Sequence, residues 1–273
     1  MTHSEPPPEH DLGLAYDLTT LSRRRALTLF AGVGLAALVG CAPEEESPTT
    51  ASNATTVPTE TDTAASCEEI PDETAGPYPG DGSNGPNVLT ESGIVRSDIR
   101  SSFGSASGTA EGVPLTVTLS LLDQANGCAA LAGAAVYLWH CDREGRYSLY
   151  SDGATDQNYL RGVQEADASG KVTFTTIFPA AYSGRWPHIH FEVYPSLAEA
   201  TSAGSVLTTS QLAFPEDVCG LVYATDGYDQ SVGNMAQTSL ESDMVFSDGV
   251  DQQLATMTGD VGSGFTATLA LAV

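Results

Sequence analysis

The stretch Tyr182-Ser-Gly-Arg185-Trp-Pro-His188-Ile-His190 puts a phenol, a guanidinium and two imidazoles into nine residues of a chain otherwise rich in small and acidic side chains. In an extended strand, side chains two apart share a face, so His188 and His190 point one way. Ile189, Phe191 and Val193 take the other. Imidazole nitrogen is the commonest metal donor in proteins, and two at this spacing form a bidentate claw. A bare His-x-His pair serves equally as a surface or structural feature of a strand. Here Ser183-Gly184 supplies a turn able to carry Tyr182 back toward the same face, and beyond residue 40 the only other histidine is His140. A second phenol stands in Gly145-Arg-Tyr147-Ser148. A lone tyrosine in such a place is ordinarily a packing residue with a wet hydroxyl. With Tyr182, His188 and His190, Tyr147 makes a set of two phenols and two imidazoles. Phenolate oxygen is a hard anionic donor suited to a trivalent ion, whereas zinc prefers His, Cys and carboxylate. Fe(III) is therefore the expected ion, two of its charges neutralised by two phenolates. A zinc hydrolase using His188, His190 and either His140 or a carboxylate is the alternative that these residues leave open.

The elements that must position this set read as strands. Leu115, Val117, Leu119 and Leu121 alternate with polar residues, Ala135 to Cys141 is a more fully apolar run, and Lys171 to Phe178 alternates behind the turn Asp167-Ala-Ser-Gly170. The His188 strand follows, and Phe265 to Val273 alternates as a closing strand. No segment keeps a helical period over three turns. The expected fold is all-β, an antiparallel β-sandwich with long loops framing a metal site; Gly80 to Asn87 and Thr225 to Asn234 read as such loops.

Several of these segments carry a resemblance. Thr74-Ala-Gly76-Pro77-Tyr78, Gly133-Ala-Ala-Val136-Tyr-Leu-Trp139-His-Cys-Asp142, Gly145-Arg-Tyr147, Arg161-Gly162-Val-Gln164, Asp167 to Ile177 and Pro179-Ala-Ala-Tyr182 through His190 resemble successive motifs of the intradiol ring-cleavage dioxygenases, the protocatechuate and catechol dioxygenase family. The resemblance runs over residues 70 to 273, in order and at similar spacing. It implies that Tyr147, Tyr182, His188 and His190 bind Fe(III), Tyr182 and His190 as axial ligands. It also implies that a catechol-type diol and O2 are the substrates, with Tyr182 leaving the metal to accept a substrate proton. The ring opens between the hydroxylated carbons, giving a cis,cis-muconate-type diacid. Arg185 matches the family's active-site arginine and would stabilise negative charge developing on the ring. Trp186, Tyr78 and Tyr159 are candidates for the pocket wall and equally for packing, Gln211 is a candidate polar pocket residue, and His140 is assigned a structural or supporting role. Strands and turns of this kind also occur in non-catalytic, transthyretin-like binding sandwiches. No long helical segment of the sort catechol dioxygenases use for dimerisation precedes the strands, which leaves a homo-oligomer open.

The remainder of the chain bounds where such a domain works. Ser22-Arg23-Arg24-Arg25 precedes an uncharged run from Ala26 to Gly40, too short to span a bilayer and suited to a signal-peptide core resembling the twin-arginine type. Leu38-Val39-Gly40-Cys41 resembles a lipobox, so residues 1–40 are expected to be a signal and Cys41 a lipid anchor, the only expected membrane attachment. Residues 41–66 read as a Thr/Ser/Pro/Glu tether without aromatic residues. Residues 67–273 are then the catalytic domain of an exported or cell-surface protein. The chain has 10 basic and 35 acidic residues, a formal charge of −25, which excludes nucleic acid as a natural partner. Cys67, Cys128, Cys141 and Cys219, an even number in an exported domain, are expected to form two disulfides.

Overall fold

The computed structural model describes residues 68–273; the signal, the lipobox at Cys41, the tether and Cys67 lie outside the described residues. Among the described residues, nine strands make two sheets. The first is built on β1 (Pro114–Asp123), whose apolar alternate residues are buried while Thr116, Thr118 and Ser120 are half-exposed. On one edge β1 pairs antiparallel with the two-residue β2 (Ala129–Ala130) and with β5 (Lys171–Ile177). On the other it meets β9 (Gly264–Ala272), which continues to β8 (Thr256–Asp260). The second sheet runs β4 (Arg161–Glu165), β3 (Ala135–Trp139), β6 (His188–Tyr194), β7 (Thr208–Ala213), all antiparallel.

The two sheets face each other across one core. Leu115, Val117, Leu119, Phe174, Ala267 and Leu271 from the first sheet meet Val136, Leu138, Ile189, Phe191, Val193 and Leu212 from the second. The expected all-β sandwich is therefore present, with one correction of direction: β1 and β9 run parallel, Leu115 opposite Phe265 and Leu121 opposite Leu271. Alternation specifies which face of a strand is buried, and the face is the same whichever way the neighbour runs.

Among the described residues the α-helices are short, as the absence of helical periodicity implies: α1 (Leu197–Thr201), α2 (Glu216–Tyr223) and α3 (Asp229–Met235). The last corrects the reading of Thr225 to Asn234 as a loop. A glycine-containing helix that buries only Ser231 leaves almost no apolar stripe to detect. Of the two expected disulfides, the one that would use Cys141 and Cys219 is corrected as well. Cys141 and Cys219 are buried free thiols. The Cys141 thiol faces the Ala180 carbonyl at 3.6 Å, and Cys219 sits in the inter-sheet core on α2, where burial pushes its thiol far up. Cys128 is disulfide-bonded.

The second sheet has a second buried face. Tyr137, Trp139, Val163 and Tyr194 point away from the sandwich core and pack beneath Tyr78, Val88, Leu89, Ile94 and Tyr147. All five residues of β3 and all seven of β6 are buried for this reason. Loops that would otherwise lie on the surface thus acquire an apolar floor, and the candidate site residues lie in that layer.

Candidate active site

Strand β6 places the histidines as its alternation requires. Ile189, Phe191 and Val193 enter the sandwich core, while His188 and His190 project into the loop-covered layer, each about 2% exposed. The His188 Nδ1 faces the Trp186 carbonyl oxygen at 2.5 Å and so carries the proton of that bond, which leaves Nε2 as a lone-pair donor. This Nε2 lies 3.1 Å from the His190 Nε2 and 3.1 Å from the Tyr182 hydroxyl. His190 is oriented by stacking: Trp139 lies parallel to it at 5.0 Å, with 4° between the planes. On another side, a Cβ on Gly76 would come within 3.3 Å of the His190 Cε1; Gly76 has φ of +69°, so glycine suits both the backbone and the contact. Burial first, then the neighbouring cations, keep both imidazoles well below the usual histidine range. They are neutral donors.

Tyr182 reaches the cluster through the turn closed by the Arg185 N–H donating to the Tyr182 carbonyl, with Gly184 at φ +82°. Tyr147 reaches it from a turn organised by Asp142. That carboxylate accepts from the Glu144 and Arg146 backbone N–H groups, from the Arg146 Nε and from the Tyr159 hydroxyl. Gly145, at φ +84°, packs this turn directly on the Tyr182 Cβ. The two tyrosine rings meet edge to face at 5.9 Å, and Tyr147 meets the His190 ring at 6.2 Å. The Tyr147 hydroxyl is buried with no hydrogen bond of full geometry, only the Tyr182 phenol being close enough to interact, and burial first, then that phenol, holds its pKa well above the usual tyrosine value. A buried unpartnered hydroxyl costs about 1–3 kcal/mol, which a fold retains where the atom has a further use.

All four residues singled out as ligands therefore meet in one cluster, and the donor set fits a hard trivalent ion. His140 does not join them. Its Nδ1 bonds the Cys141 carbonyl at 2.8 Å and its Nε2 the Thr176 hydroxyl at 2.7 Å, and burial lowers its pKa to about 4. Among the described residues no group of three or more His, Cys, Asp or Glu is gathered as a metal site, so the zinc alternative has no third ligand there.

The Dioxygenase family model matches residues 85–238, more than half of the chain. The structure resembles the intradiol ring-cleavage dioxygenase from Tetranychus urticae, with 28% identity and a TM-score of 0.60, over 76% of this chain and 94% of that one. This chain is an intradiol ring-cleavage dioxygenase. A second dioxygenase structure is similar to the same extent, 29% identical at a TM-score of 0.60, again over 76% and 94% of the two chains. The dioxygenase domain of a carbohydrate-binding fusion protein from Streptomyces sp. SirexAA-E is 24% identical, with a TM-score of 0.48 over 76% of this chain and 98% of that one. Membership in this family replaces the reading of a non-catalytic binding sandwich.

Around the dioxygenase cluster, the other candidates divide. Arg185 is buried, bonded to Asp243 through Nε at 3.0 Å and to the Gln211 Oε1 through Nη2 at 2.7 Å. Gln211 is fixed in turn by donating to the Thr74 carbonyl, which makes it the polar companion the sequence suggests. The Tyr78 ring packs against that of Tyr147, centroids 4.9 Å apart and planes tilted by 33°, and so belongs to the wall. Trp186 contributes its carbonyl to His188, but its ring packs with Ala213, Val245 and Phe246. Tyr159 is tied to Asp142 and packs with Ala110, Ala154, Leu160 and Ile177, away from the cluster.

Three residues of the site layer escape sequence reasoning. Arg161 is wholly buried and donates to the Tyr78, Pro79 and Ser148 carbonyls, the Ser148 hydroxyl and the Tyr137 hydroxyl, joining the loop of Tyr78 to that of Tyr147. Its place at the start of a dioxygenase-like motif is the one signal for it. Glu73 is buried near Arg185, and burial, with Asp248, raises its carboxyl to about 7. Asp243 lies in a Ser- and Asp-containing segment without periodicity or motif, and no sequence signal marks it.

Proposed function

We propose that this dioxygenase binds Fe(III) through Tyr147, Tyr182, His188 and His190 and opens the ring of a catechol-type diol between its hydroxylated carbons, yielding a cis,cis-muconate-type diacid. The observation that carries the reading is the convergence of donors: two Nε2 atoms at 3.1 Å, the Tyr182 hydroxyl at 3.1 Å from one of them, and the buried Tyr147 ring edge-on to both Tyr182 and His190. Bound ferric ion would supply the positive charge that lets both phenols ionise and that draws electron density from a coordinated diol. The protein's own groups do the rest. The Trp186 carbonyl and the Trp139 ring hold the two imidazoles in their lone-pair orientations. Tyr182, the more exposed of the two phenols, accepts a proton from the incoming diol at its hydroxyl oxygen. Arg185 donates toward negative charge developing on the ring, already oriented before the substrate arrives. The Tyr78 ring and the Gly76 backbone close the side of His190 and Tyr147 and keep water from it. On the strength of Arg23-Arg24-Arg25, the apolar run and Cys41, the same reading has the enzyme act outside the cytoplasm as a lipid-anchored domain.

The test is a visible absorption spectrum of purified protein with iron quantified, before and after anaerobic addition of catechol. A broad tyrosinate-to-iron band that moves to longer wavelength with catechol and bleaches when O2 is admitted supports the assignment. Protein that remains colourless after ferric reconstitution refutes it.

A further inference from the structure

Arg185 sits on the Ser183-Gly184 turn between Tyr182 and His188, its backbone N–H donating to the Tyr182 carbonyl, and its Nη2 donates at 2.7 Å to Gln211, which pairs directly across from His190 on the neighbouring strand, so its guanidinium lies against the cluster. A turn residue with a long, rotamer-rich side chain is poorly fixed by its own segment. The fixing comes from elsewhere. Asp243 accepts from the Arg185 Nε through Oδ2 at 3.0 Å and faces Nη2 through Oδ1 at 3.4 Å, which sets the plane of the guanidinium. Gln211 then sets its rotation by accepting from Nη2. Asp243 is 0% exposed and is itself held by three backbone donors: the N–H groups of Trp186 at 2.6 Å, Val245 at 2.8 Å and Phe246 at 3.3 Å. One of these is the residue after Arg185, so a single carboxylate clamps both the side chain and the turn that bears it. Asp243 lies outside residues 85–238, the stretch the family model matches.

We propose that Asp243 is a positioning residue for ring cleavage: it fixes the Arg185 guanidinium beside the two-tyrosine, two-histidine cluster and thereby makes the segment after residue 238 part of the catalytic apparatus. The role rests on the site assignment made above. A carboxylate serving only to stabilise the loop would change how much protein folds and leave the folded enzyme's turnover intact. A positioning carboxylate changes turnover in protein whose metal site is undisturbed.

The experiment compares iron-loaded full-length wild type, D243N, R185Q and the double variant. D243N should keep the wild-type charge-transfer band and iron content, and lose kcat for catechol on the order of 10²-fold with KM changed far less. In the R185Q background the same change should cost nothing further, because Asp243 acts through Arg185. In metal-free protein, the Arg185 Nε–H resonance, protected by the carboxylate in wild type, should shift or exchange away in D243N. A wild-type kcat in D243N, or an equal loss in both backgrounds, would overturn the proposal. Should D243N not fold, D243E keeps the charge and displaces the guanidinium by a methylene; it should show the same split, and wild-type kcat in it overturns the proposal equally. A wild-type protein with neither band nor turnover would refute the site assignment itself, and with it this role.

Discussion

At the scale of single residues, the Tyr147 hydroxyl carries opposite values in the two states of the protein. Buried and poorly hydrogen-bonded, it is a cost to the metal-free fold; as the proposed phenolate ligand it would be a source of affinity. Tyr147→Phe is therefore expected to raise the stability of the metal-free protein by about 1–3 kcal/mol and to lower that of the ferric protein, read by thermal melts with and without iron. A fall in both would mean the hydroxyl is satisfied in the fold. Glu73 gives a pH dependence with a definite sign. Its carboxyl is raised from 4.5 to about 7, so the folded state holds the proton more tightly. That contribution is complete below pH 4.5 and is lost as pH rises through about 7. Glu73→Gln should match wild type in urea melts at about pH 5 and exceed it by ~1–3 kcal/mol at about pH 8. His140, lowered from 6.5 to about 4, works in the other direction, its contribution complete above 6.5 and lost as pH falls toward 4. At this scale much of the site was legible. His188 and His190 share a face by strand geometry alone, and Tyr147, Tyr182 and Arg185 stand in motif-like surroundings. Asp243 and Glu73 were not legible, because an acidic residue in a chain with 35 of them carries no distinguishing mark until its burial is known.

At the scale of elements, the site depends on a sheet buried on both faces. Strand β6 sends Ile189 and Phe191 to one core and His190 to another, so neither face is free to adapt. The loops above it are held by main-chain contacts that need glycine. Gly76→Ala combines a φ of +69° with a Cβ 3.3 Å from the His190 Cε1. It should cost ~1–2 kcal/mol in metal-free stability and weaken iron retention on dialysis by pushing the ring off Trp139. Full iron retention with wild-type stability would show that the loop yields without disturbing the ring. The strands most legible in the sequence were those with one face buried and the other wetted, such as β1 with its alternating Leu, Val and Thr. Strands β4 and β7 gave no such pattern: Arg161–Val163 and Thr208–Ala213 are buried throughout, with Arg, Thr, Ser and Gln as polar members satisfied by loops. Alternation cannot report a strand whose polar residues are inside.

At the scale of the whole molecule, a formal charge of −25 works against compactness. Raising the ionic strength to about 1 M, where charges farther apart than ~3 Å are screened, should raise the melting temperature; a flat response would mean the acidic groups are already spread widely enough not to repel. Class of fold could be read from strand signals and motifs, but not the direction of the last strand relative to the first. That direction sets when the protein can be made. Strand β1 has one edge taken by β5 and the other by β9, with Leu115 lying beside Phe265. A ribosome adding about 5–20 residues per second leaves β1 waiting roughly 7–30 s for that neighbour. During synthesis its Leu-Val-Leu-Leu face and open edge are therefore exposed, a substrate for chaperones. The sheet opposite closes earlier, since β3, β4, β6 and β7 all emerge before β9. The half of the sandwich carrying the two histidines thus has its strands in hand before its supporting sheet does.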